Sequence, residues 1–148
     1  MTGTIAAAKS FHWDMAHRLG DGYPSQCRHL HGHRYSAEVT VRSDRLDEYG
    51  MVMDFGDISR ICDGWIQEHL DHACLVSSRD TSLLEFLRAE KNRFFQVDFN
   101  TTVEGIAAWL AQVLQAEIDR QPHLSEREVR IVRIRLHETP RSFAEWSR

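Results

Sequence analysis

Nine histidines stand in 148 residues, and five of them fall between His12 and His33. The densest run is His29-Leu30-His31-Gly32-His33. On a strand, side chains two apart share a face, so the imidazoles of His31 and His33 would converge. The glycine between them removes a side chain and admits close approach of backbone or ligand. A third imidazole from a neighbouring strand would complete the three-nitrogen zinc set that leaves a fourth position open to water or substrate. His17 is the natural third ligand, with His12 and His29 as substitutes on spacing alone; the competing reading is a histidine-rich surface loop.

Other reactive types gather around this pattern. Cys27 lies four residues before His31, where a metal or imidazolium would favour its thiolate as a fourth ligand or a catalytic base. Spacing leaves both open. Cys62 falls on an apolar helix face and reads as a small buried hydrophobe, and Cys74 as structural. Asp71 beside His72 can hold an imidazole tautomer and raise its basicity; a histidine meeting a helix dipole is the plainer alternative. Glu138 continues the parity of Val132, Ile134 and Leu136, which aims its carboxylate at the core side of a sheet. Two parallel N–H donors on an amidine-like edge, as in a guanine or pterin ring, would satisfy it there. A strand-end glutamate turned to solvent fits the pattern as well. Glu104 reads as the glutamate of a capping box.

The elements that must position these groups follow from periodicity. Ile5, Ala7, Phe11, Trp13 and Met15 share one parity and predict a first strand that ends at His17. A loop over Gly20-Asp21-Gly22-Tyr23-Pro24-Ser25 follows. Tyr35, Ala37, Val39 and Val41 alternate with Ser36, Glu38, Thr40 and Arg42, the pattern of a half-buried antiparallel strand. Glu48-Tyr49-Gly50 reads as a turn, with Met51 to Phe55 completing a hairpin. A helix is expected from about Asp57 to Leu70, with Ile58, Ile61, Cys62, Trp65 and Ile66 on one face. Between Leu75 and Asn100, Ser82-Leu83-Leu84-Glu85 opens a short helix and Arg93 to Phe99 forms a short strand. Thr101-Thr102-Val103-Glu104 starts a second long helix, ended before Pro122, and a last strand spans Val129 to Leu136. The sum is α+β: an antiparallel sheet with two long helices on one face, one domain over 1–148.

Composition bounds the function. Apolar residues make up 42% and charged residues 27%, and mean hydropathy is −0.45, which excludes a disordered or collagen-like chain. A net charge of −4 argues against a nucleic-acid binder. No apolar run suits a membrane span and no secretory signal is visible, so a cytoplasmic protein without membrane partners is expected. Three cysteines make a disulfide framework unsuited to such a chain.

Taken together, Ala16-His17, Cys27-Arg28-His29-Leu30-His31-Gly32-His33, Val52-Met53-Asp54-Phe55, Leu70-Asp71-His72, Thr102-Val103-Glu104 and Glu138-Thr139 resemble the 6-pyruvoyl- and 6-carboxy-tetrahydropterin synthase family along nearly the whole chain. The resemblance implies the tunnelling fold, with sheets joined into an oligomeric barrel (a trimer, or two stacked as a hexamer) and active sites between subunits. It implies Zn2+ held by His17, His31 and His33, with Cys27, Asp71 and His72 as the catalytic set. Glu138 would anchor a pterin ring, and Thr102 and Glu104 would line its pocket. The implied activity is a zinc lyase of queuosine (7-deazaguanine) biosynthesis. It would convert 7,8-dihydroneopterin triphosphate, its small-molecule partner, to 6-carboxy-5,6,7,8-tetrahydropterin, acetaldehyde and triphosphate. A 6-pyruvoyl-tetrahydropterin synthase and a non-catalytic zinc-containing pterin or purine binder are the alternatives. The Leu75–Asn100 stretch is longer than in short members of the family, Val76 and Thr101 replace a common asparagine and proline, and the triphosphate-binding residues are not assigned.

Overall fold

A computed structural model describes residues 3–20 and 22–148; Asp21, in the predicted loop after the first strand, lies outside them. Six strands form one sheet in the order β4-β3-β1-β2-β5-β6. Its centre is a long antiparallel pair, β1 (Ala6–His17) and β2 (His31–Arg42), in continuous register from Ala6 opposite Arg42 to His17 opposite His31. Buried positions alternate along both strands, with Phe11, Trp13, Met15 and His17 on one and Tyr35, Ala37, Val39 and Val41 on the other. That alternation sends one face of the hairpin into the core and the other outward.

β5 (Arg130–Thr139) pairs antiparallel with β2, and β6 (Ser142–Ser147) with β5. The register shifts between Thr40 and Val41, so Val41 faces Ile131 and Thr40 faces Arg133. Val132 is the extra residue of a bulge. Ile131, Ile134 and Leu136 therefore reach the core, where the sequence pattern expects Val132. β6 has no counterpart in the sequence reading: its residues are mostly exposed, so its alternation carries little hydrophobic signal.

Two further differences concern the middle of the chain. Residues 51–54 are not a strand, because β2 spends its two edges on β1 and β5. β3 (Ala73–Ser77) pairs parallel with β1, and β4 (Phe94–Val97) parallel with β3, so the sheet is mixed rather than antiparallel. The helical run expected from Asp57 begins at Phe55: α1 (Phe55–Ile58), a π turn (Ser59–Asp63) and α2 (Gly64–His69) follow without a break. Asp54 caps it through Gly56 N.

The second long helix, α4 (Val103–Asp119), buries Ile106, Leu110, Leu114 and Ile118 against the same sheet face. Its N-cap is Thr102, which accepts from Gly105 N at 3.2 Å, so the expected box with Glu104 three residues after Thr101 does not form. Pro122 opens a short α5 (Pro122–Ser125). α3 (Thr81–Ala89), capped by Asp80 rather than Ser82, packs Leu83, Leu84 and Leu87 on Cys74, Val76 and Ala16. Leu75 belongs to the main core, so strand alternation puts α3 on the face opposite α4. The two long helical segments share one face as expected; this third helix does not.

Candidate metal centre

The inner face of the β1–β2 hairpin ends in imidazoles. His17 closes β1, His31 and His33 open β2, and the register sets His17 directly opposite His31. Parity alone then aims all three rings to one side, with ring centroids 4.7 to 5.3 Å apart. A Cβ on Gly32 would sit 3.4 Å from the Met15 carbonyl, so the residue between the two histidines touches the neighbouring strand. Glu138, near the end of β5, brings Oε1 to 3.2 Å from His17 Nε2 and 3.1 Å from His33 Nε2. One ligand atom from each of these four residues lies within 4.8 Å of the others.

Hydrogen bonds on the far side of two rings fix their tautomers. His17 Nδ1 donates to the Thr101 carbonyl at 2.7 Å, and His31 Nδ1 to the His29 carbonyl at 2.6 Å. A backbone carbonyl only accepts, so Nδ1 carries the proton and the neutral ring presents its lone pair at Nε2. The Nε2 atoms of His17, His31 and His33 are all buried and none makes a hydrogen bond. Three converging Nε2 atoms, two of them with lone pairs fixed by these bonds, beside a carboxylate could hold a cation; they fit a divalent metal with imidazole preference. Burial first, then the neighbouring His17 and His31, holds the His33 imidazole below its ordinary pKa against the opposing pull of Glu138. The Glu138 carboxyl is held low, chiefly by His17 and then by His33 and His31, against the raising effect of burial.

Tyr35 floors the group. It is fully buried, stacks on Trp13 and meets His17 and His33 edge-on. Burial, followed by Glu138, Cys27 and Cys74, pushes its hydroxyl pKa up. Cys27 sits in a 3-10 turn (Gln26–Arg28) whose carbonyl accepts from Leu19 N at 2.9 Å, which ties it to the chain leaving His17. Cys27 is not part of the four-residue group, and neither His12 nor His29 supplies a ring to it. Of the positions expected beside a ring ligand, Thr102 caps α4 with its hydroxyl and Glu104 is exposed in the first turn. Thr101, which holds His17, carries no pattern that marks it in sequence.

Asp71 and His72 form a second group with Asp14. His72 Nδ1 donates to Asp71 Oδ2 at 2.8 Å, and Asp71 Oδ1 accepts from Asp14 N at 3.1 Å. Burial pushes the Asp71 carboxyl up, but the Asp14 N–H, His72 and Arg93 outweigh it and hold it low. His72 has a left-handed backbone with φ 56° and a side chain 76% exposed. A non-glycine residue held in that region marks a position the surrounding structure over-determines. The dyad lies at the outer edge of β1, beside a cleft of about 550 Å³ that Arg34, Phe86 and Arg93 also line.

Fold and site together define a T-fold protein with a group able to hold a metal ion: a curled mixed sheet backed by helices, with an imidazole cluster at the mouth of its central hairpin. The chain belongs to the 6-pyruvoyl tetrahydropterin synthase family, whose model matches residues 6–148. Among its relatives is the 6-carboxy-5,6,7,8-tetrahydropterin synthase of Haemophilus influenzae, 34% identical over 94% of this chain and 96% of that protein. The protein of the same name from Aquifex aeolicus is 36% identical over 82% of this chain and 76% of its own length. An uncharacterized protein of Wolinella succinogenes shares the fold with a TM-score of 0.82 at 26% identity, covering 99% of both chains. Caenorhabditis elegans 6-pyruvoyl tetrahydropterin synthase shares it with a TM-score of 0.67 at 19% identity, over 99% of this chain and 96% of that one. Among the described residues no helix is long and apolar enough to cross a membrane.

Proposed function

We propose that the chain, acting as one domain over 1–148, is a cytoplasmic zinc-dependent lyase of 7-deazaguanine (queuosine) biosynthesis. It converts 7,8-dihydroneopterin triphosphate to 6-carboxy-5,6,7,8-tetrahydropterin with release of acetaldehyde and triphosphate. The observation that carries this reading is the convergence of three buried, unpartnered Nε2 atoms in a chain 34% identical to a 6-carboxy-5,6,7,8-tetrahydropterin synthase over 94% of its length.

His17, His31 and His33 hold the zinc, which when bound supplies a Lewis acid for the hydroxyl oxygens of the substrate side chain. Glu138 accepts the parallel N–H donors of the pterin edge. Its carboxylate stands within 3.2 Å of two ligating nitrogens, so a ring bound to it is placed next to the reacting centre. Thr102 and Glu104 line the ring pocket. Cys27 exchanges a proton with the substrate side chain at Sγ, and His72 exchanges a second at Nε2 while Asp71 holds its tautomer.

We read the sites as completed between copies: the His72 dyad lies outside the four-residue metal group, although His72 and His33 line the same cleft. β3 covers β1 only at Met15 and Ala16, and β6 has no second neighbour among the described residues. Pairing β6 of one copy with the rest of β1 of the next would close both edges into a ring, a trimer or a stacked pair of trimers. His72 of that second copy would then reach the first copy's site.

Incubation of purified protein with 7,8-dihydroneopterin triphosphate and mass analysis of the products tests the reading. Acetaldehyde with the 6-carboxy product upholds it. A 6-pyruvoyl product replaces it with triphosphate elimination, and unchanged substrate in the presence of zinc-loaded protein replaces it with a binding role.

A further inference from the structure

Thr101 is fully buried in the strap between β4 and α4. A buried hydroxyl is costly unless bonded, and this one is used twice. It donates to the Arg18 carbonyl at 3.2 Å and lies 3.2 Å from His17 Nδ1. Its single proton is committed to Arg18, so toward His17 it acts only as an acceptor. The Thr101 carbonyl accepts from the same Nδ1 at 2.7 Å. Two acceptors thus face one ring nitrogen and force the proton onto it. The lone pair is left at Nε2, facing His31, His33 and Glu138.

The strap itself is fixed at both ends. Asn100 Oδ1 accepts from Gly20 N at 3.0 Å, and Thr102 caps α4. Where α4 begins, a Cβ at Gly105 would meet the Phe99 ring at 3.0 Å and the Asn100 carbonyl at 3.2 Å, so helix and strap are in direct contact. His31 draws its lock from His29, two residues away. His17 draws its lock from an element 84 positions distant, and the Thr101 hydroxyl adds a second tie, to Arg18 just past β1.

We propose that Thr101 is a positioning residue of the metal centre: its hydroxyl, with its carbonyl, sets the tautomer and plane of His17 and so tightens metal binding. The inference rests on the metal reading of the His17, His31, His33 cluster. Removing an outer partner of a ligating imidazole typically weakens metal binding by about 10- to 100-fold.

The test uses the full chain with Thr101→Val, nearly isosteric but without the hydroxyl, and Thr101→Ser, which keeps it. Zinc affinity is read by competition with a chromophoric chelator, and the His17 tautomer by 15N NMR of metal-free protein. T101V should bind zinc about tenfold more weakly and shift the His17 Nδ1 15N signal, the carbonyl alone then holding the Nδ1–H ring, while T101S stays within about twofold of wild type. Thr101→Ala gives the same comparison if the valine variant does not fold. Equal affinity in T101V and wild type, or equal losses in T101V and T101S, overturns the inference and leaves the metal reading standing. A wild-type protein that takes up no zinc overturns both.

Discussion

Nε2 of His17 lies 3.2 Å from Oε1 of Glu138 across the inner face of the sheet. His17 has already committed its Nδ1 proton to the Thr101 carbonyl. A neutral His17 therefore turns a lone pair toward a carboxylate oxygen, a repulsion that either a proton on Nε2 or a cation beside the two atoms relieves. The same oxygen stands 3.1 Å from His33 Nε2. This relationship, more than the histidine count, marks the place as able to hold a cation.

Substituting any one of His17, His31 and His33 by alanine should abolish stoichiometric zinc binding, because the remaining two imidazoles no longer enclose the ion. Metal analysis after gel filtration checks it: wild type should carry one zinc per chain. A His17→Ala protein that keeps its zinc would reassign the ligand set.

Glu138→Gln should keep zinc and bind substrate poorly. The amide retains the shape of the carboxylate but cannot accept two N–H donors, so the pterin edge is held poorly. A fall in kcat/KM of about 100-fold, dominated by KM, is expected for a lost charge-assisted pair worth roughly 1.5–3 kcal/mol. Loss of zinc together with activity would make Glu138 chiefly a ligand.

Cys27→Ala and His72→Ala should each be inactive alone, yet regain activity when unfolded and refolded together. With sites completed between copies, random mixing leaves about one site in four with an intact Cys27 and an intact partner His72. A mixture as inactive as its parents would put both groups of each site on one chain.

The Arg18–Asp80 pair gives acid sensitivity. Arg18 donates to Asp80 at 2.7 and 2.6 Å and, against the raising effect of burial, holds the carboxyl below its usual range. A depressed carboxyl contributes stability that is complete above the unfolded value of about 3.9 and is lost as pH falls through the folded value. Asp80→Asn still caps α3 but carries no charge. Its urea-unfolding free energy should therefore fall less steeply than wild type below about pH 4; parallel acid limbs would contradict the assignment.

Leu110→Ala should cost about 2–5 kcal/mol, since Leu110 is fully buried in the main core on α4 and the cavity has little room to collapse. Chemical denaturation measures it. A cost under 1 kcal/mol would mean that α4 is only loosely packed.

The sequence by itself determined the parts governed by local periodicity. The parity of Tyr35, Ala37, Val39 and Val41 gave β2 and its inner face, the spacing of His31 and His33 placed two imidazoles on that face, and the parity of Leu136 carried Glu138 there too. α4 and the α1–α2 run were legible from apolar stripes at helical spacing. Tertiary structure decided what depends on pairing between distant segments. Which histidine joined His31 and His33 rested on the β1–β2 register, which sets His17 against His31 and leaves His12 on the other face. The parallel strands β3 and β4, the exposed edge β6 and the bulge at Val132 have weak or misleading alternation, because neighbours rather than local pattern fix them. Thr101 was invisible for the same reason: a threonine before a helix cap is ordinary, and only the packing of that strap against His17 gives it work.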